Sequence, residues 1–148
     1  MTVRRLGPGD EAILARLAEG DADFDLPGRG SPRRPLTDAD GAAHLADPSV
    51  LHWVAEDDRS VVGHLLAYVE RRWSGDPRQL LLYEIGVREA SRGRGVGRAL
   101  VEAMRSWMEE EGVSEAWVLA DNPGAEAFYA SCGFVRDDEQ PVQMTLAL

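Results

Sequence analysis

The 148-residue sequence contains a single cysteine, no long apolar run and few basic residues. Its one cysteine, Cys132, excludes an internal disulfide and fits a reducing compartment such as the cytoplasm. No apolar stretch approaches the roughly 20 residues that a membrane-spanning helix requires. Because the first residues lack an apolar segment followed by a cleavage site, we also expect no signal peptide.

Negative charge outweighs positive charge, with 26 aspartates and glutamates against 16 lysines and arginines and a net charge of −10. Non-specific nucleic-acid binding requires a basic surface, so this balance argues against a nucleic-acid partner. An acidic surface instead attracts cationic partners.

The histidines and the cysteine form no catalytic or metal-binding pattern in the sequence. His44, His52 and His64 are scattered without metal-ligand spacing, so we predict no metal site. We expect His64 to be a hydrogen-bonded strand residue, with a position facing a central cleft as the alternative. Cys132 stands beside a glycine at a predicted helix end and is expected to be a small buried residue, not a nucleophile.

The hydrophobic pattern predicts one domain, 1–148, of class α/β (α+β), with a single mixed, mostly antiparallel sheet flanked by helices. We expect strands in TVRRL, in the two halves of SVLHWVAEDDRSVVGHLLAYVERRW, in QLLLYEIGV, in EAWVLA and in VQMTLAL. Helices are expected after the N-caps Asp10 and Thr37, from residue 96 to a stop at Gly112, and in PGAEAFYASCG.

A glycine-rich stretch, SRGRGVGRAL at positions 91–100, lies between a predicted strand and a predicted helix. Glycines let the backbone approach a ligand closely, and the N–H groups at a helix start are unpaired and electropositive. The stretch therefore predicts a site for a phosphate or pyrophosphate. It is not a P-loop, because Arg98 and Ala99 follow Gly97 where that motif has Lys and Ser/Thr. Its glycine spacing also excludes the dinucleotide-binding fingerprint.

The pattern R-x-x-G-x-G, formed by Arg92, Gly95 and Gly97, resembles the acyl-CoA-binding motif of the GNAT family of N-acetyltransferases. Downstream, NPGAEAFYASCGF resembles the second signature of that family, and the predicted element order is similar to its fold. Positions 48–148 are most similar to the type I aminoglycoside 3-N-acetyltransferase branch, which has a similar V-G-x-L-x-A-Y strand and a tyrosine–acid pair. The N-terminal third diverges from that branch.

The resemblance implies direct transfer of an acetyl group from acetyl-CoA to a primary amine. Main-chain groups before the loop would hold the pantetheine arm, and loop amides would hold the pyrophosphate. The side chains of Arg92 and Arg94 would add charge or stay solvated, and Asn122 would contact pantetheine or only cap its helix. The cofactor-binding residues so implied are Ile85, Gly86, Val87, Arg92, Gly93, Arg94, Gly95, Val96, Gly97, Arg98, Asn122 and Tyr129.

Two residues carry the implied catalysis. A primary amine is protonated at neutral pH and must lose a proton before it attacks. Glu84 is the candidate base, directly or through a water, because its apolar flanks suit partial burial, and the alternative is an outward-facing surface glutamate. Tyr129, at the tyrosine position of the second signature, is the candidate acid for the departing thiolate, and the alternative is a core tyrosine.

Acidic segments would select the amine, because carboxylates pair with ammonium groups. By resemblance the acceptor is an aminoglycoside acetylated at its 3-N position and the enzyme a homodimer. A polyamine, a lysine side chain or a peptide N-terminus is the alternative acceptor, and a non-catalytic acyl-CoA-binding module is the alternative class. The candidate substrate-binding residues are Asp23, Asp25, Glu84, Asp137, Asp138 and Glu139, with Asp21 in the same loop as the first two.

Overall fold

The computed structural model describes residues 1–20, 23–24, 35–75 and 78–148. The chain divides into two compact units, Met1–Val118 and Leu119–Leu148. The strands are β1 (Thr2–Arg5), β2 (Val50–Asp57), β3 (Ser60–Glu70), β4 (Gln79–Val87) and β5 (Ala116–Trp117). The helices are α1 (Glu11–Glu19), α2 (Asp38–Ala46), α3 (Val96–Glu111) and, in the second unit, α4 (Pro123–Ser131), with a 3₁₀ turn at Glu89–Ser91.

The described strands form one sheet in the order β1-β2-β3-β4-β5. The first three pairings are antiparallel, and the β4–β5 pairing is parallel. Asp58 and Arg59 join β2 to β3 in a two-residue turn, and their positive φ angles of 46° and 65° match the twist of the flanking strands. The predicted mixed, mostly antiparallel sheet flanked by helices is confirmed.

One extra residue interrupts the ladder between β3 and β4. Leu66 of β3 lies opposite Glu84. The next residue of β3 lies opposite Leu82, so Tyr83 is the additional residue of a β-bulge. A bulge bends its strand and changes the direction of the side chains beyond it. Burial follows this change, because Leu82 is buried whereas Tyr83 is exposed and Glu84 is half-buried.

Helices cover both faces of the sheet. On the α1 face, Val54 of β2 packs in a buried cluster with Leu6, Leu14, Leu17 and Phe24. On the α3 face, a Cβ added to Gly63 would lie 2.7 Å from Cγ1 of Val96 and 3.2 Å from Cδ1 of Leu100. His64 lies opposite Val54 and therefore projects from the α1 face.

The predicted helix ends at Thr37 and Gly112 are confirmed. The Thr37 hydroxyl accepts a hydrogen bond from the first turn of α2, and Gly112 ends α3 with a φ of 68°. Asp10 precedes α1 without capping it with its side chain. Its carboxylate accepts two hydrogen bonds from the Arg4 guanidinium and one from the Gly7 N–H, each 3.0 Å long, because this charged pair outcompetes a neutral cap.

No helix within the described ranges combines the length and the apolarity that crossing a membrane requires.

The predicted C-terminal strand VQMTLAL is wrong, and only two residues of EAWVLA form a strand. Val142, Met144 and Leu146 of the C-terminal segment are 85%, 90% and 88% exposed. An alternating pattern supplies β propensity, but a strand forms only where its backbone groups pair with a neighbour.

Candidate functional site

The β-bulge places Glu84 on the α1 face, beside His64 of the neighbouring strand β3. Leu66 lies opposite both Glu84 and His52, so these two side chains project from the same face. Oε1 of Glu84 lies 3.6 Å from Nε2 of His64, and the Glu84 side chain is 28% exposed. A half-buried carboxylate at this position can accept a proton from a ligand bound on the α1 face.

The three histidines, although scattered in the sequence, form a histidine line of His44, His52 and His64. Nε2 of His44 lies 3.1 Å from Nδ1 of His52, and Nε2 of His52 lies 3.3 Å from Nδ1 of His64. His64 is thus a hydrogen-bonded strand histidine, as predicted. The sequence did not show that all three histidines are joined by hydrogen-bond contacts. Among the residues that the structure describes, no three His, Cys, Asp or Glu side chains are placed to hold a metal ion.

Burial keeps the centre of the histidine line neutral. Burial, with smaller contributions from His64 and His44, lowers the pKa of His52 to about 3. Burial also lowers the pKa of the half-exposed His44, and the nearby Asp47 carboxylate partly opposes this shift. At neutral pH the His52 ring therefore carries one N–H and one acceptor nitrogen, and the tautomer decides which nitrogen donates.

Gly86 provides the space that His64 occupies. A Cβ at Gly86 would lie 2.9 Å from Nε2 of His64 and 2.9 Å from Cβ of Phe24, so a larger residue would displace the imidazole. Phe24 packs edge-on against the His64 ring, with ring centroids 5.1 Å apart, and the Arg88 guanidinium lies 4.6 Å from the centroid of Phe24. These contacts fix the end of the histidine line that meets Glu84.

Two tyrosines lie near Glu84. The rings of Tyr68 and Tyr83 meet edge to face with centroids 5.4 Å apart. Burial raises the pKa of Tyr68, and the charges of Tyr83 and Glu84 add to this shift. Sequence reasoning did not assign a role to Tyr68 or to the histidine line. The period of two over His64, Leu66 and Tyr68 marks one face of β3 and could have grouped His64 with Tyr68.

The glycine-rich stretch forms the start of α3. Gly95 is the N-cap of α3 with a φ of 82°, and Gly93 also has a positive φ, 72°. A glycine cap has no side chain to satisfy the first N–H groups of the helix, which lie at the positive end of the helix dipole. The start of α3 can therefore bind an anion. Arg92 donates to the carbonyl oxygen of Val87 at 3.0 Å, and Arg94 lies 3.8 Å from the Asp57 carboxylate.

The strand before this stretch has one edge without a strand partner in the described first unit. β5 pairs with β4 only at Leu80 and Leu81. Ile85, Gly86 and Val87 pair with β3 on the other edge. Their outer edge can therefore offer backbone groups to an extended ligand, as β-strand addition does.

The predicted acceptor-binding carboxylates fall in three places. Asp21 and Asp25 lie outside the described residues. The Asp23 carboxylate accepts a hydrogen bond of 2.7 Å from Arg88 and is engaged in that ion pair. In the second unit, Asp137, Asp138 and Glu139 are exposed and line an open pocket of about 600 Å³.

The second unit holds the predicted acid on α4. Asn122 caps this helix, because its side-chain oxygen accepts a hydrogen bond of 2.9 Å from the Ala125 N–H. Tyr129 is buried, and its ring lies 5.5 Å from the Phe134 ring. Burial raises the pKa of Tyr129 to about 12, so the phenol is protonated at neutral pH. Cys132 is buried, as predicted.

A helix start able to bind an anion, an open strand edge before it and a carboxylate on the same strand together suit a transferase that takes its acyl group from an acyl-CoA. Residues 18–134 match the model of the acetyltransferase (GNAT) family, and the chain belongs to this family. Its members use acetyl-CoA as the acetyl donor.

Known proteins give the assignment further context. Mycothiol acetyltransferase of Paenarthrobacter aurescens (strain TC1) is 28% identical over 93% of the chain and 43% of the relative. N-acetyltransferase 8 of Rattus norvegicus is 27% identical over 66% of the chain and 45% of the relative, so the chain spans less than half the length of either. An aminoglycoside acetyltransferase from an uncultured soil metagenomic sample, solved with trehalose and with sisomicin, shares the fold. Its TM-score is 0.83 at 23% identity, with 99% of this chain and 95% of that chain covered.

Proposed function

We propose that the protein transfers the acetyl group of acetyl-CoA directly to a primary amine of a cationic small molecule. The observation that carries this proposal is the half-buried carboxylate of Glu84, which the β-bulge turns onto the α1 face in a GNAT-family sheet. Glu84 takes a proton from the bound ammonium group, directly or through a water, and leaves a neutral amine that can attack the thioester.

Acetyl-CoA would bind along the outer edge of β4 and at the start of α3. Its pantetheine arm would pair with the main chain of Ile85, Gly86 and Val87, and its pyrophosphate would accept hydrogen bonds from amides of residues 92–97. As the C–N bond forms and the C–S bond breaks, Tyr129 gives its phenolic proton to the thiolate. Because the pKa of Tyr129 is about 12, the phenol still carries this proton at neutral pH. The attacking nitrogen then loses a second proton, which restores the Tyr129 phenol, so the overall reaction releases one proton for each ammonium group that is acetylated.

The proposed acceptor is an aminoglycoside, acetylated at its 3-N position. Support comes from the net charge of −10, from the exposed carboxylates at residues 137–139 and from the fold shared with the enzyme solved with sisomicin. The proposal includes a role in antibiotic resistance as a cytoplasmic homodimer, and the single buried Cys132 supports the compartment. A polyamine, a lysine side chain or a peptide N-terminus is the competing acceptor.

Thiol release from acetyl-CoA, measured with sisomicin, spermidine and a lysine peptide, tests the acceptor. We expect the highest kcat/KM with sisomicin, and we expect acetyl-CoA alone to raise Tm by mass action. A higher kcat/KM with spermidine or the peptide would refute the aminoglycoside assignment. Acetyl-CoA binding without thiol release for any amine would favour the competing class, a non-catalytic acyl-CoA-binding module.

The variants Glu84→Gln and Tyr129→Phe test the two catalytic roles. Loss of a general base or acid should lower kcat by about 100-fold or more, while the Kd for acetyl-CoA changes little. Glu109→Gln is the matched control for the glutamate, because Glu109 is an exposed residue of α3. An unchanged kcat in both catalytic variants would contradict the mechanism.

A further inference from the structure

The histidine line connects Glu84 with the partly exposed end of α2. His52 and His64 are each 6% exposed, whereas His44 is half-exposed in the last turn of that helix. Successive contacts of 3.6 Å, 3.3 Å and 3.1 Å join Glu84 to His64, His64 to His52 and His52 to His44. Burying the imidazoles of His52 and His64 is costly unless each is hydrogen-bonded, and here ring nitrogens face one another from His64 to His44.

We propose that the histidine line is a proton relay that carries the proton taken up by Glu84 to solvent at His44. This proposal rests on the proposed function, in which each turnover releases one proton. A half-buried base must lose that proton before it can accept the next one. Of Glu84 and the three histidines, only Glu84 faces the acceptor amine. The histidines act through Glu84 and are therefore positioning residues.

The transfer leaves every ring neutral. Protonated Glu84 gives its proton to Nε2 of His64, after a small side-chain rotation that shortens the 3.6 Å gap. His64 passes its Nδ1 proton to Nε2 of His52. His52 passes its Nδ1 proton to Nε2 of His44, which releases its own Nδ1 proton to water. Glu84 returns to the carboxylate, and each ring has gained one proton on Nε2 and lost one from Nδ1. Before the next passage, water must take the Nε2 proton of each ring and supply one to Nδ1.

The surroundings of the line favour passage of a proton over its retention. The titratable and charged groups that face the line are Tyr68 and Glu84 from the sheet, Asp47 beside His44, and Arg88 across the Phe24 ring. The low pKa of His52 means that a proton does not stay on the central ring. At the outer end, the negative charge of the exposed Asp47 carboxylate favours a proton on His44, where solvent can take it up.

Replacing His44 with Gln interrupts the relay at its outer end, because an amide can hydrogen-bond to His52 but does not accept and release a proton near neutral pH. We expect kcat for thiol release to fall about 10-fold, with KM and the Kd for acetyl-CoA unchanged. Added imidazole should restore kcat in His44→Gln and leave the parent unaffected, which a purely structural role would not produce. Asp38→Asn, in the exposed first turn of the same helix, is the matched control and should keep the parent kcat.

A second measurement tests the line without turnover. In protein labelled with ¹⁵N-histidine, NMR should detect couplings across both N–H···N hydrogen bonds, and His52→Gln should abolish both. Missing couplings in the parent, a parent-like kcat in His44→Gln, or a loss that imidazole does not restore would each overturn the relay. Intact couplings in a parent that acetylates no amine would refute the proposed function, and with it the catalytic use of the line. The two failures are therefore distinguishable.

Discussion

Replacing Gly63 with alanine tests how the sheet positions the start of α3. A Cβ at Gly63 would lie 2.7 Å from Cγ1 of Val96 and 3.2 Å from Cδ1 of Leu100. It would also lie 3.2 Å from the carbonyl oxygen of Gly86, a backbone atom held in the sheet. Because Val96 is the first residue of α3, we expect the added methyl group to push the N-terminal end of this helix away from the sheet.

The expected cost follows from overpacking a filled core. Such insertions typically cost 1–3 kcal/mol, and we expect a loss of about 2 kcal/mol in the free energy of unfolding. For a chain of this length, that loss lowers Tm by about 6 °C. The first amides of α3 belong to the proposed pyrophosphate site. Displacing one or two of their hydrogen bonds should raise the Kd for acetyl-CoA by about 10-fold.

Urea unfolding and calorimetric titration with acetyl-CoA measure these two effects. Gly7→Ala is the matched control, because a Cβ at Gly7 meets no atom within 4 Å and its φ lies outside the left-handed region. Its free energy of unfolding should stay within about 0.5 kcal/mol of the parent value. A Gly63→Ala protein that matches Gly7→Ala in stability and in acetyl-CoA affinity would refute the reasoning.

Two further predictions concern a buried ring and a helix cap. Because the pKa of His52 falls from 6.5 to about 3 on folding, its contribution to stability is complete above pH 6.5 and is lost as the pH falls toward 3. His52→Gln should therefore flatten the acid limb of the unfolding free energy by about 3 kcal/mol between pH 7.5 and 4, measured by urea unfolding. Asn122→Ala should lower the free energy of unfolding by about 1 kcal/mol, whereas Asn122→Ser should change it little. An acetyl-CoA affinity equal to that of the parent in both variants would assign Asn122 to capping alone.

Elements with strong local signals could be predicted from the sequence. In the β2–β3 hairpin, residues on either side of a polar turn are continuously apolar or alternate between apolar and polar. Helix α3 ends at a glycine that adopts a positive φ. Thr37 caps α2 because its hydroxyl is close in sequence to the N–H that it accepts from. In each case the interaction that decides the structure spans only a few residues.

Features that depend on distant partners could not be predicted in the same way. Asp10 was predicted as a cap, but Arg4 reaches it from β1 and captures its carboxylate. The C-terminal segment alternates like a strand, yet alternation does not supply the neighbour that its backbone must pair with. His44, His52 and His64 meet only because the β2–β3 register and the packing of α2 bring them together, and their spacing does not encode this.

The position of Glu84 shows why strand periodicity alone would mislead about the site. Leu80 and Leu82 are buried, and strict alternation would place Glu84 on the same face, opposite Leu65. That face packs against α3, where an unpaired carboxylate would be costly to bury. The extra residue at Tyr83 shifts the register, so that Glu84 lies opposite Leu66 and projects beside the histidine line. The bulge therefore lets one strand bury its apolar half against α3 and present a carboxylate on the opposite face.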